Sequence, residues 1–328
     1  MSREDRKLRK HFQERAKREM RLARKFQTKN EGSRRTPRDE SVAVGMVVET
    51  GPGFCDVQQQ TERVRCRSHG ETVVGDQVVF SVGRRRIEEI LPRRTVLSRA
   101  DPHNPRLERV LAANVDIVVH VVSLKSPPLR AGLIDRYLIA VGKCGASPMI
   151  CVNKHDLLED RDELDVLRPY EEAGVPVLLC SAATGWGIEQ LADALAGRCS
   201  VFAGHSGVGK SSLLNALDPQ LGVTTGSVSA ATHKGRHTTT SSTLYRLPNG
   251  ATVIDTPGVR EFGLWSITAE DVRRHFSEFE QYTCAFSDCS HTHEPDCGVK
   301  AAVESGEIDR VRYDGYVRIL KSLAAPDW

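Results

Sequence analysis

Residues 204–211 of this 328-residue chain read GHSGVGKS, a glycine-rich stretch that ends in lysine and serine. The strand-like sequence SVFA precedes it and the helix-like SSLLNAL overlaps its end. Glycines at this spacing let backbone N–H groups curl around phosphate oxygens at the start of a helix. The stretch therefore predicts a phosphate-binding loop, and a glycine-rich turn that fits the pattern by chance is the alternative.

Separate roles are predicted for the last residues of this loop. We expect Lys210 to supply positive charge to the β- and γ-phosphates during catalysis, and the Ser211 hydroxyl to ligate Mg²⁺. Ser212, at the start of the helix, is expected to donate to the α-phosphate. The residues predicted to bind nucleotide here are Gly204, His205, Ser206, Gly207, Val208, Gly209, Lys210, Ser211 and Ser212.

A second phosphate-side motif, DTPG, occupies residues 255–258 and follows the strand-like run ATVI. Ligands of open α/β sheets bind at the carboxyl ends of strands, where Asp255 is placed by this pattern. Asp255 is expected to meet Mg²⁺ through water, and the Gly258 N–H is expected to meet the γ-phosphate during catalysis. A β-turn containing proline is the alternative for DTPG taken alone.

Residues 153–156 read NKHD and directly follow the strand-like MICV. A carboxylate at the last position accepts from N1–H and the exocyclic amine of guanine, a pairing that adenine cannot supply. A serine-alanine turn after another apolar strand fits a backbone contact to guanine O6. The predicted base-binding residues are Asn153, Lys154, His155, Asp156, Ser181 and Ala182. A helix N-cap is the alternative role for Asp156.

The motifs occur in an unusual order, with base recognition ahead of phosphate binding. Ras-like proteins carry the phosphate motifs first, whereas this chain runs NKHD, SAA, phosphate loop, a Thr-rich loop and DTPG. A parallel sheet tolerates this order because its site is assembled from strand ends, independently of how they are connected. The sequence therefore predicts a circularly permuted α/β P-loop GTPase domain whose last phosphate motif leads directly into the C-terminal region.

A cysteine and histidine cluster lies in that C-terminal region. Cys284, Cys289, His291 and Cys297 supply three thiolates and one imidazole within fourteen residues. Four protein ligands form a closed tetrahedral site, so a structural Zn²⁺ is predicted. His293 is the competing histidine, although we favour His291, and chance clustering of thiols is the alternative.

The elements that must position these residues fall into three regions. Short β-rich runs at residues 42–48, 62–66, 77–82 and 86–90, separated by turns, predict a small OB-type β-barrel over 41–98. Strand-like runs then alternate with helical stretches, which predicts a mainly parallel sheet flanked by helices in a GTPase domain over 99–264. Residues 265–328 are predicted to form a small, mainly helical zinc-binding domain. The chain is thus predicted to be a multidomain protein.

Residues 1–40 are predicted to form a basic, disordered arm. Residues 1–38 hold fifteen Lys or Arg and five Asp or Glu, a net charge of +10, whereas the other 290 residues carry −7. Such an arm favours a polyanionic partner, and a solvated tail is the alternative. No run of about eighteen apolar residues occurs, so we expect a cytoplasmic protein without membrane association. We also expect a monomer, and no disulfide framework among the nine cysteines.

The permuted motifs, the β-rich N-terminal module and the cysteine spacing together resemble the RsgA family of bacterial GTPases, also called YjeQ or YloQ. Further matching stretches are EEILPRRTVLSR at 88–99, AANVD at 112–116 and KGRHTTT at 234–240. The resemblance covers about residues 41–320 and implies an OB-fold, a permuted GTPase domain and a zinc-binding domain. It also implies a GTPase that acts in late maturation of the 30S subunit, with hydrolysis stimulated by the subunit and promoting release.

The resemblance assigns a catalytic histidine as well. Val259 follows DTPG where Ras-like proteins have the glutamine that orients water. His237 resembles the family histidine proposed for this task, and either Thr238 or Thr239 is expected to complete the Mg²⁺ shell. The 30S subunit and its 16S rRNA are the implied partners, together with late-acting assembly factors. The alternatives are a permuted GTPase serving the large subunit or another RNA, and an RNA-binding module that only senses GTP.

Overall fold

The computed structural model describes residues 41–68, 71–101, 104, 107–129, 131–223, 242–255 and 267–324. The predicted basic arm lies outside the described residues. Among the described helices, none is long and apolar enough to cross a membrane.

A five-stranded barrel forms the N-terminal part of the described chain. Its strands are β1 (Val42–Gly51), β2 (Phe54–Gln59), β3 (Glu62–Arg67), β4 (Gln77–Ser81) and β5 (Arg86–Ile90). They run in the order β1-β2-β3-β5-β4, and pairing of β1 with β4 closes the barrel. Only the pairing between β3 and β5 is parallel within this barrel. The predicted OB-type barrel is confirmed.

The inside of the barrel is filled by apolar side chains from all five strands. These buried residues are Val47, Cys55, Val57, Cys66, Val78, Phe80 and Ile87. The run FCDVQQ of β2 contains three polar residues, and no strand was predicted there from the sequence. It forms a strand because Cys55 and Val57 point into the barrel and meet their β3 neighbours across the ladder.

A two-stranded hairpin follows the barrel, with β6 (Val96–Ala100) paired antiparallel to β7 (Glu108–Ala113). The chain approaches this hairpin closely at Gly75, where a Cβ would lie 2.0 Å from the Ala113 carbonyl oxygen. Nearby, the buried Asp76 carboxylate accepts from Arg93 at 2.7 Å. The boundary predicted after residue 98 falls inside β6, and the domain limits stay a prediction.

The central sheet has the α/β pattern predicted from the alternating runs. Its strands are β8 (Ile117–Val122), β9 (Ser147–Val152), β10 (Val177–Leu179), β11 (Cys199–Ala203), β12 (Ser242–Arg246) and β13 (Thr252–Asp255). The order is β10-β9-β8-β11-β13, all parallel, and β12 adds to β13 antiparallel. The flanking helices are α1 (Ala131–Cys144), α2 (Arg168–Glu172), α3 (Ile188–Leu195) and α4 (Lys210–Leu217).

Alternating side chains of these strands face two separate cores. On β8, Val118 packs with Tyr137 and Val141 of α1, while Val119 packs with Leu191 of α3 and Leu213 of α4. Because both faces of the sheet are covered by helices, its strands are apolar almost throughout. This rigid sheet places the polar residues that follow β9, β10, β11 and β13 at one edge.

The barrel and the central sheet are continuous. Strand β1 pairs antiparallel with β12, with Glu49 opposite Thr243 and Thr50 opposite Ser242. The result is a sheet of eleven strands among the described residues.

The C-terminal region is mainly helical, as predicted. It contains α5 (Ala269–His275), a short 3₁₀ helix (Ser277–Gln281), α6 (Gly298–Ser305) and α7 (Arg310–Ala324). Thr268 and Asp271 form a capping box at the start of α5. The buried core of the region contains Val272, Phe276, Phe279, Val299, Tyr316 and Ile319, and Ile139 of α1 packs into it.

Candidate nucleotide site and metal cluster

The glycine-rich loop connects β11 to α4 at the carboxyl edge of the sheet, as a phosphate-binding loop requires. Gly204 has φ +143°, and a Cβ there would lie 2.2 Å from the Val121 carbonyl oxygen. Gly209 has φ +94°, and a Cβ there would lie 2.2 Å from Nδ2 of Asn153. These two glycines therefore let the loop pass directly against β8 and against the NKHD segment.

The Lys210 ammonium group lies over the concave side of the loop. Its Nζ donates to the carbonyl oxygens of Gly204 at 2.6 Å and His205 at 2.9 Å. Ser211 and Ser212 occupy the first turn of α4, where backbone N–H groups and the helix dipole favour an anion. The loop thus combines the donors and the positive charge that a polyphosphate needs.

Asn153 joins the phosphate loop to the two base-side segments. Its Nδ2 donates to the Val208 carbonyl oxygen at 2.9 Å, and its Oδ1 accepts from the Ala182 N–H at 3.1 Å. The side chain is buried, at 2% exposure, so both bonds are shielded from water. Asn153 therefore braces the phosphate loop against the serine-alanine turn.

Lys154 extends along the same loop. It has a left-handed backbone conformation with φ +64°, and its Nζ donates to the carbonyl oxygens of Gly207 at 2.8 Å and Ser126 at 2.6 Å. The aliphatic part of the side chain can therefore lie beside the face of a base. The sequence pattern gave no signal for Ser126, because its contact with Lys154 forms only in the folded chain.

Asp156 lies next to the serine-alanine turn. The buried Ser181 hydroxyl donates to its Oδ1 at 2.5 Å, and Asp156 itself is exposed. A carboxylate held in this way keeps acceptor capacity for the N1–H and amine of guanine. NKHD and the turn that begins at Ser181 thus form one continuous polar edge.

Asp255 ends β13, directly beside the strand that leads into the phosphate loop. The ladder pairs Val201 of β11 with Ile254 of β13, so Asp255 reaches the same edge as the loop. Of the residues predicted to bind Mg²⁺, a cation that prefers oxygen ligands, Asp255 and Ser211 lie within the described residues. The other predicted phosphate-side residues, namely His237, Thr238, Thr239 and Gly258, lie outside the described residues.

His120 is a buried histidine behind the phosphate loop that the sequence motifs did not include. It lies on β8 beside Ala203 of β11 and stacks on Tyr137 of α1, with ring centroids 3.9 Å apart. Burial and the nearby positive charge of Lys210 lower its pKa to about 3. His120 is therefore neutral at pH 7 and adds no charge to the phosphate side.

The three cysteines and His291 lie close together in the C-terminal region. Their ligand atoms all lie within 4.8 Å of one another. The Sγ atoms of Cys284 and Cys297 are 3.8 Å apart, and each lies 3.5 Å from Nδ1 of His291. A tetrahedral Zn²⁺ site has sulfur–sulfur separations of about 3.8 Å and sulfur–nitrogen separations of about 3.5 Å, calculated from its bond lengths. The donor set and its spacing therefore fit zinc.

Hydrogen bonds from α7 hold the histidine segment of this cluster. The hydroxyl of Tyr313 donates to the His291 carbonyl oxygen at 2.7 Å, and that of Tyr316 donates to the Ser290 carbonyl oxygen at 2.9 Å. By contrast, the side chain of His293 is 84% exposed. The geometry therefore places His291 with the cysteines and leaves the competing histidine at the surface.

Comparison with known proteins supplies the family. The family described as RsgA GTPase matches residues 90–265. The chain is also 42% identical over 296 residues to the small ribosomal subunit biogenesis GTPase RsgA of Haemophilus influenzae, a match that covers 85% of each chain. The chain belongs to the RsgA GTPase family. The small ribosomal subunit biogenesis GTPase RsgA 1 of Vibrio vulnificus is 41% identical over 276 residues, a match that covers 80% of this chain and 78% of that relative.

Two solved structures of this family have the same architecture. YjeQ from Thermotoga maritima superposes with a TM-score of 0.70 at 35% identity, covering 88% of this chain and all of that chain. YloQ, described as a circularly permuted GTPase, superposes with a TM-score of 0.65 at 30% identity, covering 90% of this chain and all of the other. The protein is thus a GTP-hydrolysing enzyme of the RsgA family, and the predicted fold class is confirmed.

Proposed function

We propose that this RsgA-family enzyme acts in biogenesis of the small ribosomal subunit and that the subunit stimulates its GTP hydrolysis. One observation carries the proposal: a nucleotide site built from permuted motifs shares a continuous sheet with an OB-type barrel. Relatives that are about 42% identical over 85% of the chain are named small ribosomal subunit biogenesis GTPases. Membership of a GTPase family argues against a module that only senses GTP.

The described residues suggest how the nucleotide is held. Asp156 and a backbone N–H of the serine-alanine turn would read guanine, and the stem of Lys154 would cover one face of the base. The phosphate loop would surround the α- and β-phosphates, while Lys210 would move from its loop carbonyls to the terminal phosphates. Mg²⁺ would be held by Ser211, by Asp255 through water, and by one of the two threonines after His237.

We assign the task of positioning the attacking water to His237. Val259 has no polar group with which to orient water, so another residue must supply that function. A neutral imidazole can orient the nucleophile or accept its proton. Gly258, through its N–H, would contact the γ-phosphate and thereby report hydrolysis to the C-terminal region.

Zn²⁺ in the cysteine and histidine cluster would have a structural role. Four protein ligands would satisfy the four-coordinate preference of zinc, so no position would remain for a water or substrate. The ion would tie the segment around Cys284 to the start of α6, whose N-cap residue is Cys297. The zinc region would then stay rigid while it transmits the nucleotide state.

The basic arm of residues 1–40 is proposed to contact 16S rRNA, because its charge of +10 over 38 residues suits a polyanion. We place the enzyme in the cytoplasm as a monomer that acts late in assembly, beside other late assembly factors. The salt dependence of subunit binding, measured with and without residues 1–38, tests the arm. An unchanged salt slope would remove the arm from the interface.

Sedimentation through sucrose gradients tests the choice of ribosomal particle. With a non-hydrolysable GTP analogue, the protein is expected to migrate with purified 30S subunits and to remain at the top of gradients that contain 50S subunits. Migration with 50S alone would favour the large-subunit alternative. Asp156→Asn, assayed at the same nucleotide concentration, is expected to lose co-migration, because its affinity for the guanine nucleotide is much lower.

A further inference from the structure

Two aromatic rings stack on each other at the rim of the nucleotide site. His155, the third residue of NKHD, and Trp186, which follows the serine-alanine turn, have ring centroids 4.2 Å apart and planes 12° apart. Trp186 is 51% exposed, so the pair closes the outer edge of the site instead of filling the core. Trp186 belongs to none of the nucleotide-binding motifs.

The backbone fixes the position of Trp186. The Ser181 N–H donates to the Trp186 carbonyl oxygen at 2.8 Å, and the Gly185 N–H donates to the Ser181 carbonyl oxygen at 2.9 Å. Gly187 has φ +76°, and a Cβ there would lie 2.2 Å from the Leu179 carbonyl oxygen. The chain therefore turns tightly against β10 and presents the indole on the side of NKHD.

The partner ring is fixed in a similar way. The His155 N–H donates to the Cys180 carbonyl oxygen at 3.0 Å, and His155 opens a one-turn 3₁₀ helix over His155–Leu157. Asp156, which would read the base, is the next residue of this turn. The ring stack and the hydrogen bond from Ser181 to Asp156 therefore connect the same two turns at two points.

We propose that Trp186 is a positioning residue for guanine recognition. Its indole holds the NKHD turn against the serine-alanine turn, so that Asp156 is oriented before nucleotide binds. This inference rests on the proposed guanine site and adds to it the residue that preorganises that site. Loss of an aromatic stack of this kind is expected to change the nucleotide dissociation constant by a factor of about three to ten. A less well-oriented Asp156 would lose guanine selectivity together with affinity.

Calorimetric titration of the full-length chain with GDP and with IDP tests this role, because inosine lacks the exocyclic amine that Asp156 would bind. Trp186→Ala is expected to weaken GDP binding about threefold to tenfold and IDP binding less, so that the ratio of the two affinities falls. Trp186→Phe, which keeps a ring, should retain most of both affinities. The turnover number at saturating GTP should stay unchanged in both variants.

His155→Ala removes the other ring and is expected to cause the same loss, and the double variant should add nothing further. Phe286→Ala is the matched control, because Phe286 is a similarly exposed aromatic residue, at 48%, in the zinc region. Its nucleotide affinities should equal those of the unmodified chain. Because Trp186→Ala and His155→Ala each remove the stack independently, either variant tests the proposal if the other folds poorly.

The outcomes separate this proposal from the proposed function. If the unmodified chain binds neither GDP nor IDP, the guanine site itself is wrong. If the unmodified chain binds GDP and Trp186→Ala binds GDP and IDP as tightly as the unmodified chain does, the positioning role is overturned while the guanine site stands. Equal weakening for GDP and IDP would overturn the role in guanine selectivity, because a misoriented Asp156 must cost more for guanine, which offers it two donors, than for inosine, which offers only N1–H.

Discussion

Asn153 shows how much of the nucleotide site depends on single polar side chains. Its amide group donates to the phosphate loop and accepts from the serine-alanine turn, so one buried residue sets the distance between phosphate and base binding. A buried amide that lost one of these partners would leave the other group unsatisfied, at a cost of about 1–3 kcal/mol. The same reasoning applies to Asp156, whose carboxylate is held by Ser181.

Asp156→Asn is expected to weaken GDP binding about 100-fold or more and to improve binding of xanthosine diphosphate. The new amide cannot accept from both N1–H and the guanine amine, but it can donate to the second carbonyl of xanthine. Equilibrium binding of both nucleotides measures the change. Glu159→Gln, an exposed carboxylate to amide change in the same loop, should leave both affinities unaltered. Unchanged guanine preference in Asp156→Asn would contradict the assignment.

His237→Ala is expected to keep GTP affinity and to lower subunit-stimulated turnover about 100-fold or more, because a positioned general base contributes at least this factor. Single-turnover phosphate release with 30S subunits measures it. His233→Ala is the control, since His233 lies four positions earlier in the same Thr-rich loop. Wild-type turnover in His237→Ala would exclude the proposed role.

At the scale of elements, the site is assembled where strands end. Strands β9, β10, β11 and β13 each deliver one polar segment to the same edge of the sheet. The order of these strands along the chain has no influence on this convergence, which explains why permuted motifs still form one site. The turn after β11 is the most constrained of them, because Gly204 lies against the backbone of β8.

Gly204→Ala is therefore expected to lower the free energy of unfolding by about 2–4 kcal/mol, since both its backbone conformation and the close approach to Val121 exclude a Cβ. Urea denaturation measures the effect. Gly222→Ala is a useful comparison, because Gly222 also has a positive φ, at +56°, but a Cβ there would meet nothing within 4 Å. Its cost should stay at about 1 kcal/mol. Equal costs would show that the contact with Val121 is unimportant.

The motifs and their order could be predicted from the sequence, because each combines a residue pattern with a strand before it. Strand β2 was missed, since Asp56 and two glutamines obscure its alternation. The pairing of β1 with β12 was also missed, because it joins residues almost 200 positions apart and depends on packing of the whole sheet. Trp186 was missed for the same kind of reason: its contact with His155 exists only after two separate turns meet.

At the scale of the whole molecule, an ion network connects the GTPase domain to the zinc region. Arg312 of α7, only 9% exposed, donates to Asp135 of α1 at 3.1 Å and to Glu278 at 2.7 Å. It also donates to the His275 carbonyl oxygen at 3.1 Å and lies 4.0 Å over the Phe276 ring. Burial raises the pKa of Asp135 to about 6, although the charge of Arg312 opposes this shift. A buried network of this kind resists independent movement of the two parts.

His275 is expected to make this contact sensitive to acid. Burial and the charge of Arg312 lower its pKa to about 3, so the folded state binds a proton less readily than the unfolded state, and stability falls as the pH drops below 6.5. Between pH 7 and pH 5 this group accounts for a loss of about 2 kcal/mol. Nη1 of Arg312 also lies 3.2 Å from Nε2 of His275. His275→Gln, which keeps a side-chain acceptor for Arg312 but does not titrate, should remove that loss.

The free energies of unfolding of the unmodified chain and of His275→Gln are measured at pH 7 and pH 5. The difference between their two pH dependences gives the contribution of His275. The opposite contribution of Asp135, which gains stability as the pH falls through 6, is present in both chains and cancels. Identical pH dependences for the two chains would show that His275 is not held neutral by the network.

The proposed function as a whole is tested most directly by phosphate release from GTP in the presence of purified ribosomal subunits. We expect 30S subunits to raise the turnover number at least about tenfold, which is equivalent to about 1.4 kcal/mol of transition-state stabilisation. We expect no such increase with 50S subunits. Equal turnover with and without 30S subunits, or equal stimulation by 50S subunits, would contradict this account of the enzyme.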